Sequence, residues 1–214
     1  MRAIALLAVA TSVSFAQDAR ERATDPLGRL DPSTRFAVEM LMDSARLVGL
    51  PHGPLESKAL EGISKRASGR DILVAVRRVY RALREARMAL GPSATTDELT
   101  AATGALRVGI PASELSRLAA TRTGKPLTVP LVVLADLVTR GVPRDTASVT
   151  IFQLFQRGAA DDDFLGLWRS VERDIVSGTD PGVALLNRAR EIPTKGTSSA
   201  VPPAAGVRPD DAKS

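Results

Sequence analysis

Across 214 residues the chain contains no cysteine and one histidine, His52. Without cysteine there are no disulfides, no thiolate zinc sites and no cysteine nucleophile. A single imidazole cannot build a multi-histidine metal site within one chain. Aromatic residues make up 3% of the sequence, so any core must be built from Leu, Val, Ile and Ala. Helices that meet through small side chains approach closely, and such a core suits a helical stack. The phosphate-cradling P-loop, the dinucleotide-binding glycine fingerprint and the G-x-S-x-G nucleophile elbow are all missing. The expectation is a protein without catalytic machinery, cofactor or metal.

Glycine and proline, by contrast, are placed to a pattern. Gly49-Leu50-Pro51, Gly109-Ile110-Pro111 and Gly141-Val142-Pro143 each follow one apolar-periodic run and precede another, and Gly178-Thr179-Asp180-Pro181 is a looser copy. Glycine just past a helix supplies the left-handed residue that closes it, and proline at the first helical position has φ already set. Each tripeptide therefore reads as one helix ending, a turn, and the next helix beginning.

Between these marks the sequence predicts an all-α fold of about nine short helices in antiparallel hairpins. Asp31-Pro32 opens the first, with Phe36, Met40, Leu41, Ser44, Leu47 and Val48 at three- and four-residue spacing as its apolar side. Further helices are expected at about 55–66, 70–90, 96–108, 112–121, 129–140, 144–156, 162–176 and 181–190. Ser68 with Asp71, and Thr95 with Glu98, read as capping boxes. Thr128 and Asp180 read as caps. The run Leu131-Val132-Val133-Leu134-Ala135 could pass alone for a strand, but Leu137 and Val138 extend it at helical spacing. Gly109 and Gly141 are 32 residues apart, and Gly141 and Gly178 are 37 apart. That spacing fits degenerate helical-hairpin repeats, and an irregular bundle with similar turns fits as well.

The ends differ from this body, which is expected over 31–191. Met1-Arg2, a short apolar run to Ala10, and small residues at Ser14 and Ala16 have the order of a signal peptide cleaved after residue 16. Export to the periplasm or outside the cell follows. After cleavage no stretch is apolar enough to cross a bilayer as a helix. Residues 17–30 are polar and charge-mixed and read as a flexible lead-in. Residues 192–214, rich in Pro, Ser, Thr and Ala, have little to bury and read as a disordered tail.

Most polar features have a structural explanation. Asp161-Asp162-Asp163 lacks the alternation and glycine of a calcium loop, and acidic residues complement a helix N-terminus. His52 lies in a proline-flanked turn with no nucleophile to serve. Glu56 and Glu61 are five apart and so diverge on a helix. Trp168 shares helical spacing with Phe164, Leu167, Val171 and Ile175, the register of a core residue. The remaining surface feature is the helix at 70–90. Its apolar stripe of Ile72, Val76, Val79, Leu83, Ala86 and Leu90 is opposed by Arg77, Arg78, Arg81, Arg84 and Arg87, a candidate anion-binding face.

Net charge is +5, which permits contact with anionic surfaces. The expected function is an exported, non-catalytic helical scaffold or protein-binding module. The alternative is a binder of anionic envelope components, lipid head groups or polysaccharide, through the arginine face. Nucleic acid is not an expected partner in that compartment, and an enzyme of unrecognised type ranks last.

Overall fold

Where a helix must stop, its last carbonyls need donors from the turn that follows. In this chain one arrangement supplies them repeatedly. A computed structural model describes residues 25–121 and 124–193. Within these residues all regular structure is helical: α1 Pro32–Leu47, α2 Gly53–Ser64, α3 Gly69–Leu90, α4 Thr96–Arg107, α5 Ala112–Ala120, α6 Thr128–Thr139, α7 Arg144–Gln156, α8 Asp161–Val176 and α9 Pro181–Glu191. The expected signal segment, the lead-in up to residue 24 and the tail from residue 194 lie outside the described residues.

The three Gly-hydrophobic-Pro junctions are one device. After α1, Gly49 N–H donates to Arg46 O at 3.1 Å and Leu50 N–H to Ala45 O at 2.8 Å. After α4 the same pair runs from Gly109 to Leu106 and from Ile110 to Ala105; after α6 it runs from Gly141 to Val138 and from Val142 to Leu137. This is the Schellman closure, in which the second donor comes from the residue after the left-handed one. The middle residue of the tripeptide also plugs the core, since Leu50, Ile110 and Val142 are all buried. The prolines sit differently from the expectation. Pro111 and Pro143 are themselves the N-caps of α5 and α7, and Pro51 precedes the His52 N-cap of α2. At the first helical turn stand Pro32, Pro54 and Pro181. A proline at the N-cap keeps the extended φ/ψ that position needs.

Arg66 closes α2 with the same two bonds, Arg66 N–H to Ile63 O and Ala67 N–H to Gly62 O, at φ 56. An L side chain there costs roughly 1–2 kcal/mol. Arg66→Gly should therefore stabilise the protein by about 0.5–1 kcal/mol once the extra freedom of unfolded glycine is counted. Gly141→Val should do the reverse. Gly141 has φ +93, and a Cβ there would meet only Pro181 Cγ at 3.6 Å, so the cost is backbone strain of about 1–3 kcal/mol. Urea denaturation of both variants beside the parent reads the signs, and equal midpoints for the two would refute this account of the turns.

The caps predicted from sequence form at Asp31, Thr95 and Asp180, whose side chains accept from Thr34, Glu98 and Val183 N–H. Ser68 accepts from Asp71 N–H, while Asp71 takes the Ser68 hydroxyl rather than its backbone N–H. Thr128 is already inside α6, and Leu127 occupies the N-cap with no side-chain bond. The body also starts earlier than residue 31. Leu27 N–H bonds Asp25, Asp25 pairs with Arg35 at 2.6 Å, and Leu27 is buried.

All the principal helix contacts join elements one or two places apart in the chain. Helix α3 packs on α1, α2, α4 and α5; α6 packs on α4, α7 and α8; α9 packs on α7 and α8. Principal contacts between near neighbours in the chain suit a helical stack and an irregular bundle of hairpins alike. Helix α6 buries Leu131, Val133, Leu134 and Leu137.

Two exposed carboxyls give the fold an acid limb. Hydrogen bonds from Ser33 and Thr34 hold Asp31 at about 2, down from its ordinary 3.8. Lys58 and Lys65 hold Glu61 at about 2, down from 4.5. Arg188 likewise lowers Asp174. Since the unfolded chain takes up these protons first, their stabilisation is complete above about pH 4.5 and is lost as pH falls toward 2. The urea midpoint should be level from neutral pH to about 5 and then decline. Asp31→Asn, which keeps a capping oxygen, should make that decline shallower.

Candidate functional site

The arginine face predicted on α3 is divided by the structure. Arg77, Arg78, Arg81 and Arg84 are exposed, and none of them has an ion pair or hydrogen bond among the described residues. Val74 and Met88, also exposed, continue the same three- and four-residue spacing at either end. The stripe from Val74 to Met88 is about 21 Å long at 1.5 Å per residue. The opposite side of α3 is buried at Ile72, Val76, Val79, Leu83, Ala86 and Leu90, the six positions read from the sequence.

Arg87 is not part of that free face. It is half-buried, and its guanidinium donates to Pro92 O at 2.8 Å, Ala94 O at 3.1 Å and Gly49 O at 2.8 Å. It ties the end of α3 to the turn after α1. Arg144 does the same to Gly109 O at 2.8 Å, and Lys125 to Gly158 O at 2.9 Å. A left-handed turn leaves its glycine carbonyl outside the helix ladder, and in these three turns a distant cation supplies the donor. The partners are separated by 38, 35 and 33 residues, so no local pattern announces them.

Other arginines are paired with acids: Arg35 with Glu39, Arg46 with Asp43, Arg140 with Glu172, and Arg188 with Asp174 and Glu191. On α3 these four arginines face solvent, as does Arg70 in its first turn; the helix's acids are Asp71, which takes the Ser68 hydroxyl, and Glu85. Glu85 follows Arg81 by four residues, the less favourable order for pairing on a helix.

Helix α1 reverses the sequence reading. Its buried side is Thr34, Val38, Met42 and Ala45, with Leu41 half-buried. Phe36, Met40, Leu47 and Val48, expected to face the core, are 65%, 50%, 88% and 58% exposed. Apolar residues cover most of the circumference of this helix, and what decides is the neighbour. Val38, Met42 and Ala45 face the neighbouring helices, and Phe36, Met40 and Leu47 are left outside. Single apolar residues on a surface are ordinary; here Phe36 and Met40 stand one turn apart, and Asp43 and Ser44 separate them from Leu47 and Val48.

The remaining candidates take structural places. Asp163 accepts from Ala160 N–H at 2.7 Å at the start of α8. Glu61 is held by Lys58 and Lys65. His52 stands at the N-cap of α2 without a side-chain cap bond. Trp168 is half-buried against the core. Among the described residues no three His, Cys, Asp or Glu side chains are grouped to hold a metal ion, and no helix is long and apolar enough to cross a membrane. Comparison with protein-family models, with curated proteins and with solved structures finds no match for this chain.

Proposed function

We propose that the protein is an exported, non-catalytic binding module that docks a partner protein on the outer face of α1. The observation that supports this reading is the exposure of four apolar side chains on one helix and its cap, Phe36, Met40, Leu47 and Val48. Its flanks favour a protein over a membrane. They carry both signs, as Arg35 with Glu39 and Arg46 with Asp43. Paired mixed charges suit the polar rim of a protein interface, whereas a membrane-surface helix carries mainly Lys and Arg beside its apolar side. The export part rests on the pattern of residues 1–16, and N-terminal sequencing of the mature protein tests it. A start at Gln17 supports export; an intact Met1 on cytoplasmic protein overturns it.

The second reading, contact with lipid head groups or polysaccharide through α3, is favoured by Arg77, Arg78, Arg81 and Arg84, exposed and without an ion pair among the described residues. Placing a photo-crosslinking residue at position 36, at position 81 or at the exposed Arg157 in producing cells separates the two. A discrete protein adduct from position 36 that still forms at high salt supports docking on α1. Adducts confined to position 81 and abolished by salt favour the arginine face, because exposed charge contacts are screened. Equal labelling at 36, 81 and 157 would overturn both.

A further inference from the structure

A cavity of about 360 Å³ lies between α5, α6 and α7. It arises because α5 packs principally on α3, while α7 packs on α6 and α9, which leaves a gap over α6. Leu118, Leu134 and Phe152 give it an apolar wall, and Glu114, Asp145 and Ser148 give it a polar one. Its volume is at the lower end of the range, about 300–1,000 Å³, of small-molecule sites.

Two side chains of this wall each carry a polar atom, Glu114 Oε2 and Ser148 Oγ, that is turned away from the open space and buried with no hydrogen-bond partner among the described residues. Each has lost the partner that its position usually supplies. Glu114 is the third residue of α5. At the same position in α4 and α8, Glu98 and Asp163 accept from the N–H of the N-cap residues Thr95 and Ala160. The N-cap of α5 is Pro111, which has no N–H to give. Ser148 lies within α7. Within other helices the hydroxyls of Ser44, Thr100, Thr103 and Thr139 donate to the carbonyl four residues back. That of Ser148 does not. A buried polar atom without a partner is costly, and an occupant that donates hydrogen bonds removes the cost.

We propose that this cavity binds a small amphiphilic primary amine. On binding, the partly exposed Glu114 and Ser148 side chains turn toward the ligand. The ammonium head donates to Glu114 Oε2 and Ser148 Oγ, and its alkyl or aryl body lies on Leu118, Leu134 and Phe152. Asp145 adds negative potential. Arg117 also borders the cavity, so two carboxylates face one guanidinium and the balance favours a cation. The inference does not depend on docking at α1.

The test is titration of the purified protein with phenethylamine, 3-phenylpropionate and ethylbenzene, followed by backbone amide NMR shifts. Phenethylamine should bind with a Kd of about 0.1–1 mM, the range open to a ligand of that size. The shifted amides should lie in α5 and α7. Glu114→Gln should weaken binding about tenfold and Ser148→Ala about threefold, the scale of a charged and a neutral hydrogen bond. Arg77→Ser should leave binding unchanged. Circular dichroism and urea midpoints confirm that the variants fold. Binding of the carboxylate or of ethylbenzene as tight as the amine, or amine binding indifferent to Glu114→Gln, would overturn the proposal. So would the absence of shifts in α5 and α7.

Discussion

Glu98→Ala should cost about 3–5 kcal/mol, a large share of the 5–15 kcal/mol typical of a domain. Glu98 is 1% exposed. Its Oε2 accepts Thr95 N–H at 2.9 Å, which completes the capping box of α4. Its Oε1 accepts Leu127 N–H at 2.9 Å across 29 residues of chain. Leu127 is the N-cap of α6, and α4 packs more extensively on α6 than on any other helix. One carboxylate therefore starts one helix and fixes where the other begins. Alanine leaves two backbone donors without their acceptor, one of them fully buried, and opens a space beside Leu127. Each loss of this kind costs about 1–3 kcal/mol.

Glutamine at the same position separates charge and acceptor geometry from volume. It fills the site, but it offers one carbonyl oxygen where two backbone N–H groups need one each. The second N–H then faces an amide NH₂. Glu98→Gln should fall between the parent and Glu98→Ala, at about 1–3 kcal/mol. Urea denaturation of the two variants reads the order. A midpoint for Glu98→Ala within experimental scatter of the parent would show that the α4–α6 junction does not rest on this carboxylate.

Glu98 also marks the boundary of what local sequence conveys. Its capping role was legible, because Thr95 and Glu98 stand three apart before an apolar run. Its bond to Leu127 was not, because nothing near residue 127 names a partner 29 residues away. The three cation-to-glycine clips have the same character. Arg87 was grouped with the α3 surface because its spacing places it beside Arg84, and only the approach of the Gly49 turn takes it inside. The buried stripe of α3 was legible at all six positions since arginines fill the other side and leave one choice of face. Helix α1 offered two. Its apolar residues surround the axis, and the side that packs, with Val38, Met42 and Ala45, is the one facing the neighbouring helices. The cavity between α5 and α7 had no local signal except Pro111 before Glu114, a proline standing where a capping carboxylate expects an N–H.

Two phenylalanines put this distinction to a quantitative test, because the periodic pattern assigned both to the core. Phe164 is 0% exposed and heads the fully buried side chains by volume. It is the fourth residue of α8, and Ala159, the residue before the N-cap, is buried with it in the core, the positions of a hydrophobic staple. Ala159 also closes α7 through its bond to Leu154 O at 3.0 Å. Phe164→Ala therefore empties the corner where α7 ends and α8 begins, with rigid turn backbone on one side that cannot collapse inward. The expected cost is about 3–5 kcal/mol, the upper range for removing a buried aromatic ring. Phe36 is 65% exposed, and its ring contributes little to the folded core. Phe36→Ala should shift stability by no more than about 0.5 kcal/mol, as surface changes usually do. Urea midpoints of the two variants measure the difference directly. A loss at Phe36 comparable to that at Phe164 would mean that α1 buries the side read from its sequence, and the docking face proposed there would not exist.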